Sequence, residues 1–215
     1  MANYIDYPNR EEWLKGRIKS LGASEVACVL WEGFDPATEL WKEKTGRKQR
    51  KDFSNDKRVE YGTNAEDYLR SLFALKHKDK YKVEYFPYRT YIHEKYPFLH
   101  ATLDGELVKL ESGKRGVWEC KTVWVMSRKE LENWNGKIPQ KYYIQVLDQL
   151  CVMKYDFAVV TVELIFPDGN SEIRNYTIER NEQVENDIKY IETEAAKWWS
   201  EYVVKDKKPP IKMTL

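Results

Sequence analysis

The chain has no cysteines close enough in sequence to hold a metal together. Its three cysteines, Cys28, Cys120 and Cys151, are far apart and no CxxC pair occurs. That spacing argues against a zinc ribbon or a four-cysteine iron–sulfur cluster. The odd count fits reduced thiols better than a disulfide framework. An excess of one charge is also missing. The 36 Lys+Arg against 35 Asp+Glu leave a formal net charge of +1, so any nucleic-acid footprint has to be local. No apolar run approaches the length of a membrane span, and the opening MANYIDYPNREEWLKGR has no apolar h-region. The expectation is a soluble, cytoplasmic protein with no membrane partner. Internal repeats and low-complexity segments are absent.

What remains is a globular composition, 42% hydrophobic and 33% charged. The 215 residues suffice for one well-cored domain and are short for two. Basic residues gather in GRKQRK (46–51), KHKDKYK (76–82) and KDKK (205–208). Each reads first as a solvated loop or helix end. GRKQRK reads equally as a DNA-backbone contact.

The first third reads helical. Ser24 opens SEVACVLWEG as an N-cap, with Gly33 to stop it. PATELWKEKTG starts at Pro36 and ends at Gly46. From Val59 to Lys76 apolar residues recur with a helical period, with Glu66 one step past the stripe. Gly62, early in that helix, predicts close backbone packing. The middle third turns to strands: KVEYFPYRTYIH with Pro87 at an edge or bulge, FLHATLDGELVKL with a turn near Gly105, and GVWECKTVWV. A helix over about 139–153, the apolar strand FAVVTVELIF, the strand SEIRNYTIE and an amphipathic helix (about 181–204) complete the chain. This order predicts an α/β (α+β) fold with a central mixed β-sheet flanked by helices.

Within GVWECKTVWV, Glu119 and Lys121 are two apart and share a strand face, while Cys120 faces away. Alone, the pair reads as a structural ion pair, because matches this short are mostly accidental. Asp104 changes the weighing. If the strands 99–109 and 115–122 pair as a hairpin, Asp104 lies near Glu119, and two close carboxylates need a proton or a cation between them. A hard divalent cation such as Mg²⁺ takes carboxylates, a backbone carbonyl and waters. Asp104, Glu119 and the Cys120 carbonyl supply such a set, and Glu66 reaches the cation directly or through water. Lys121 then acts on a metal-bound water or on phosphate charge.

A helical acid, then Asp, then Glu-x-Lys on the next strand resembles the PD-(D/E)xK nuclease pattern, with Leu103 where the nominal Pro would stand. GRIKSLGASEVACVL, ELWKEKTG, YGTNAE and YYIQVLDQL follow in an order similar to the phage lambda-type exonuclease, or YqaJ-like viral recombinase, group. The resemblance runs from about 17 to 160. It implies a restriction-endonuclease-like core in a single domain (1–215) whose N-terminal helical part (about 1–58) binds DNA ends. It implies a phage- or prophage-encoded 5′→3′ exonuclease that uses Mg²⁺, with Mn²⁺ able to substitute. Such an enzyme digests one strand of duplex DNA to leave a 3′ overhang. Arg17, Ser24, Thr102 and Arg128 would contact the 5′-phosphate, Arg128 one residue out of register. Gln145 and Tyr142 would help place the attacking water and the scissile phosphate. A ring-shaped homotrimer and a single-strand annealing partner belong to the same implication. The rival readings are a restriction-type or Cas4-like endonuclease, the latter opposed by the missing cysteine cluster, and a non-catalytic DNA-end-binding adaptor. The three histidines, His77, His93 and His100, show no ligand spacing and read as structural or surface groups.

Overall fold

The run FAVVTVELI, expected at a sheet centre, is buried along its whole length. A strand covered on both faces cannot alternate with polar residues, and this one organises the molecule. The computed structural model describes residues 2–30, 36–50 and 55–210. The expected helix stop at Gly33 and Lys51 of the basic run lie outside them. In chain order the elements are β1 (Asn3–Asp6), α1 (Arg10–Ile18), β2 (Leu21–Gly22), α2 (Ala23–Leu30), α3 (Pro36–Lys44) and α4 (Lys57–Lys76). Then come β3 (Tyr81–Glu84), β4 (Arg89–Ile92), β5 (Leu99–Ala101), β6 (Gly105–Lys109) and β7 (Arg115–Trp124). The chain continues through α5 (Arg128–Glu132), α6 (Gln140–Met153), β8 (Phe157–Ile165), β9 (Ser171–Glu179) and α7 (Glu182–Trp198), with a π-helical turn over Trp199–Val204.

The central sheet has the order β3-β6-β7-β8-β9. It is mixed: β7 and β8 run parallel from Gly116↔Phe157 to Trp124↔Ile165, and the other neighbours are antiparallel. The parallel pair needs a crossover, and α6 lies within it. On one face α4 sets Leu69 and Phe73 against Trp118, Cys120 and Phe157. On the other, α6 and α7 bring Leu147, Leu150, Ile188 and Ile191 over Val117, Val160 and Val162. The Gly62 expectation holds in distance: a Cβ there would stand 3.1 Å from Thr122 Oγ1, so the missing side chain lets α4 approach β7.

Three local expectations are corrected. KVEYFPYRTYIH is two strands in different sheets. Pro87 lacks an N–H, and Tyr88 adopts φ 58°, so the ladder breaks between β3 and β4. FLHATLDGELVKL divides likewise into β5 and β6. The released strands join β1 and β2 in a second, four-stranded sheet of order β1-β4-β5-β2, so the N-terminal part is not purely helical. Finally, Ser24 is not a helix cap. Helix α2 begins at Ala23, and the Gly22 N–H donates to the Glu25 carboxylate at 2.9 Å. Glu25 thus acts as the acidic half of a capping box, leaving Ser24 exposed in the first turn.

Candidate active site

The antiparallel register pairs Gly105 with Trp118, which brings the residue ahead of β6 beside Glu119 and Cys120. There the Asp104 carboxylate accepts the Cys120 backbone N–H at 2.8 Å. A side chain therefore extends the ladder one step ahead of the first residue of β6. Strand alternation turns Glu119 and Lys121 toward α6 and packs Cys120 with Leu69 and Phe73 on the opposite face.

Glu119 is almost completely buried and fully engaged. It pairs with the Lys121 ammonium, and it accepts from Gln145 Nε2 and Gln149 Nε2, each at 2.6 Å. Gln149 Nε2 also donates to the Thr102 carbonyl at 3.2 Å, which ties the segment between the two sheets to Glu119. Tyr142 stacks on the buried Trp134 ring, with centroids 5.4 Å apart, and the Lys121 Nζ lies 5.3 Å from the Tyr142 ring centre.

Glu66 arrives from α4. Arg70, one turn later on that helix, donates to Glu66 Oε1 at 3.2 Å and to the Asp104 carbonyl oxygen at 2.6 Å. Burial, then the charges of Glu119 and Glu66, push the Asp104 carboxyl well above its usual range. Glu66 is also raised, by burial and by Glu119, with Arg70 opposing. Burial acts to lower the Lys121 ammonium, but Glu119 and Asp104 outweigh it and hold its pKa above the ordinary value. The group is thus three carboxylates that interact through a poorly solvated space, with two cationic side chains, Lys121 and Arg70, against them.

A second polar cluster stands at the start of α2. A Cβ on Gly22 would lie 2.9 Å from His100 Nε2 and 3.5 Å from an Arg17 terminal nitrogen. His100 is fully buried, and its pKa is pushed down to about 3 by burial and by the charges of Arg17, Lys44 and Arg50. Lys44 is buried against Glu25 at 2.8 Å and donates to the Arg17 carbonyl oxygen at 3.2 Å. Burial lowers the Arg17 pKa, while Glu25 and Asp104 act to raise it. Asp104 therefore links the two clusters electrostatically. A concentration of cations beside a helix N-terminus suits an anion such as phosphate.

Of the sequence-predicted residues, Glu66, Asp104, Glu119, Lys121, Gln145 and Tyr142 come together, with Thr102 adjoining through Gln149. Arg17 lies in the basic cluster, and Ser24 is exposed two residues past Gly22. Arg128 is not brought in. It opens α5 with its side chain 91% exposed and pairs with Glu132 at 3.0 Å, and among the described residues no contact joins it to Arg17. Sequence reasoning missed Arg70, Gln149, Lys44 and His100. For two of them a signal existed: Arg70 is four past Glu66 and Gln149 is four past Gln145, which is the spacing of neighbours on one helix face. His100, read as structural or surface, borders the cationic pocket.

Among the described residues no three His, Cys, Asp or Glu side chains form a ready cation cage. Mg²⁺ does not require one, since it usually keeps several waters and takes one or two carboxylates together with substrate phosphates. The mutually raised Asp104 and Glu66 beside Glu119 are hard oxygen donors whose repulsion a divalent cation would relieve. The donor set fits the expected metal.

The same fold occurs in solved exonucleases. The alkaline exonuclease LHK-Exo from Laribacter hongkongensis aligns with TM-score 0.64 at 18% identity, over 92% of this chain and 97% of that one. Its complex with dAMP aligns with TM-score 0.65. A phage-related exonuclease from Haemophilus somnus 129PT aligns with TM-score 0.57 at 14% identity, over 87% and 96%. The Bacillus subtilis (strain 168) protein YqaJ, described as uncharacterized, is 26% identical over 204 residues, which is 94% of this chain. The chain spans 59% of that curated relative's length. The YqaJ-like viral recombinase domain matches residues 12–156, two thirds of the molecule including every carboxylate above, and the chain belongs to that family.

Proposed function

We propose that the protein is a metal-dependent nuclease that digests one strand of linear double-stranded DNA from its 5′ end, leaving a 3′ overhang for recombination by single-strand annealing. The observation that carries the reading is the convergence of Glu66, Asp104, Glu119 and Lys121 where β6 begins beside the middle of β7, next to a cationic pocket whose Arg17 feels the Asp104 charge. The exonuclease descriptions of the fold relatives favour the same chemistry.

Asp104, Glu119 and the Cys120 carbonyl would hold Mg²⁺ or Mn²⁺, with Glu66 joining directly or through water. When bound, the cation supplies Lewis acidity and an activated water. The remaining work belongs to the chain. Lys121, kept charged by Glu119 and Asp104, donates from Nζ to the scissile phosphate and offsets its developing charge. Gln145 and Gln149 fix the Glu119 carboxylate, and Tyr142 backs Lys121. Arg17, with the N-terminus of α2 and Ser24, receives the 5′-phosphate and sets how far the strand enters, so residues 1–58 serve as the end-binding part. Thr102 borders that path. Arg128 contributes only to DNA outside this pocket. By family resemblance the active form is a ring-shaped homotrimer that works with an annealing protein in a bacterial cytoplasm. Among the described residues no helix is long and apolar enough to cross a membrane.

The test is digestion of a linear duplex carrying one 5′-phosphorylated end. Mg²⁺-dependent release of nucleotides from that strand alone is expected, with covalently closed circles left intact. Cutting of closed circles would point instead to an endonuclease. Binding of ends without any cutting would point to an adaptor, and full activity in Lys121→Ala would remove the assigned chemistry.

A further inference from the structure

The segment Tyr85-Phe86-Pro87-Tyr88 breaks the first rule of soluble loops. Three aromatic rings stand in four residues, and Tyr85, Phe86 and Tyr88 are each 37–40% exposed. Tyr88 also holds φ 58°, a backbone state that is an outlier for a bulky side chain and persists only where surroundings enforce it. The enforcement is visible. The Tyr88 carbonyl accepts the Tyr7 N–H at 3.2 Å, and the Arg89 N–H turns back to the Phe86 carbonyl at 3.4 Å.

Each ring is braced by a cation or a ring that is itself held in place. The Arg70 guanidinium lies 3.6 Å from the Tyr85 ring centre while it donates to Glu66 and to the Asp104 carbonyl. The Arg89 guanidinium lies 4.1 Å from the Phe86 ring centre and is locked by two hydrogen bonds to Asp6, at 2.6 and 2.8 Å. The Tyr88 ring sits 6.3 Å from that of Trp13, over which Arg17 lies at 4.5 Å. The loop therefore bridges the carboxylate cluster at one end and the cationic pocket at the other. Rigid, exposed aromatic faces backed by positive charge are what unpaired nucleobases stack upon, since every base offers a π-face and the adjoining phosphates are drawn to the cations.

We infer that the Tyr85–Tyr88 loop is a stacking platform for unpaired bases of the DNA strand that runs between the cationic pocket and the carboxylates. This rests on the nuclease reading above and adds to it a contact to bases rather than to phosphates. Sequence tolerance follows, because stacking discriminates weakly among bases.

The experiment compares two short 5′-phosphorylated duplexes with frayed 5′ ends, one with intact unpaired nucleotides and one with the same nucleotides made abasic. Affinities for the full-length chain are measured by fluorescence anisotropy in EDTA, so that no cutting occurs. The wild type is expected to prefer the intact duplex by about tenfold, within the range for base–aromatic stacking. The double variant Phe86→Ala/Tyr88→Asn should lose that preference and keep wild-type affinity for the abasic duplex, which also shows that it is folded. Phe86→Tyr should retain the preference, and Phe86→Leu should not. Absence of a preference in the wild type, or its survival in the double variant, overturns the inference alone. Failure of the wild type to bind either duplex overturns the nuclease reading, and this inference with it.

Discussion

The Asp104 carboxylate takes the Cys120 backbone N–H at 2.8 Å, so a would-be metal ligand also pins the strand that carries Glu119 and Lys121. One residue thus couples the geometry of β7 to the Glu119 and Lys121 side chains at its middle. Asp104→Asn should keep the fold, because the amide oxygen still accepts from Cys120, yet it removes a charge. Nuclease activity is expected to fall by orders of magnitude, with a higher Mg²⁺ requirement in a metal titration. Unchanged metal dependence would place the cation elsewhere.

Lys121→Ala tests the other side of the pair. Loss of a positioned donor to developing charge costs about 10²–10³-fold in rate, and a drop of that size in single-turnover digestion is expected. Thermal stability should fall as well, because Glu119 is left as a buried carboxylate without its counter-charge, held only by Gln145 and Gln149.

Arg70 is a positioning residue. Its donations to Glu66 and to the Asp104 carbonyl are hydrogen bonds from a charged group, worth about 1.5–3 kcal/mol when removed from a buried setting. Arg70→Ala should lower stability in urea unfolding by about that amount and reduce kcat. Arg70→Lys should not restore activity, because the guanidinium reaches Glu66 and the Asp104 carbonyl from one terminal nitrogen and Asp67 from the other, a spread that a single ammonium does not cover.

Stability should depend on pH through Asp148, a fully buried carboxyl whose pKa is pushed up to about 8 by burial. Its folded pKa lies above the unfolded value of 3.8. The folded state therefore prefers the protonated form, and stability falls as pH rises between the two values. His100 acts oppositely. Its folded pKa of about 3 lies below the ordinary 6.5, so its contribution is lost as pH falls through that interval. Between pH 6.5 and 8 only Asp148 of the two is active, and stability is expected to fall as pH rises there. Asp148→Asn should flatten that slope in urea unfolding series. An unaltered slope would mean another group is responsible.

Arg17→Ala should reduce the preference for 5′-phosphorylated over 5′-hydroxyl ends without lowering the rate on ends already bound. Competition between the two kinds of duplex measures this. Equal loss on both would make Arg17 a general DNA contact.

Much of the site was legible because it is written in local periodicity. Strand alternation alone sets Glu119 and Lys121 on one face and Cys120 on the other. The hairpin assumption placed Asp104 near Glu119, and the register Gly105↔Trp118 agrees with it. The helices carrying Glu66 and Gln145 follow from apolar recurrence. Partners distant in sequence were not legible. Lys44 meets Glu25, and His100 meets Gly22, only because β2 pairs with β5 and α3 packs on α2. Pro87 marks a break in KVEYFPYRTYIH, but nothing there or in FLHATLDGELVKL tells that the two halves enter different sheets, since both halves have the same β-rich composition. Arg128, expected at the phosphate, shows the converse. It opens α5 with its side chain exposed and paired with Glu132. Composition, periodicity and motif order therefore determined the carboxylates and their lysine by themselves. The tertiary structure alone decided what surrounds them, because long-range packing chooses among partners that the local chain cannot distinguish.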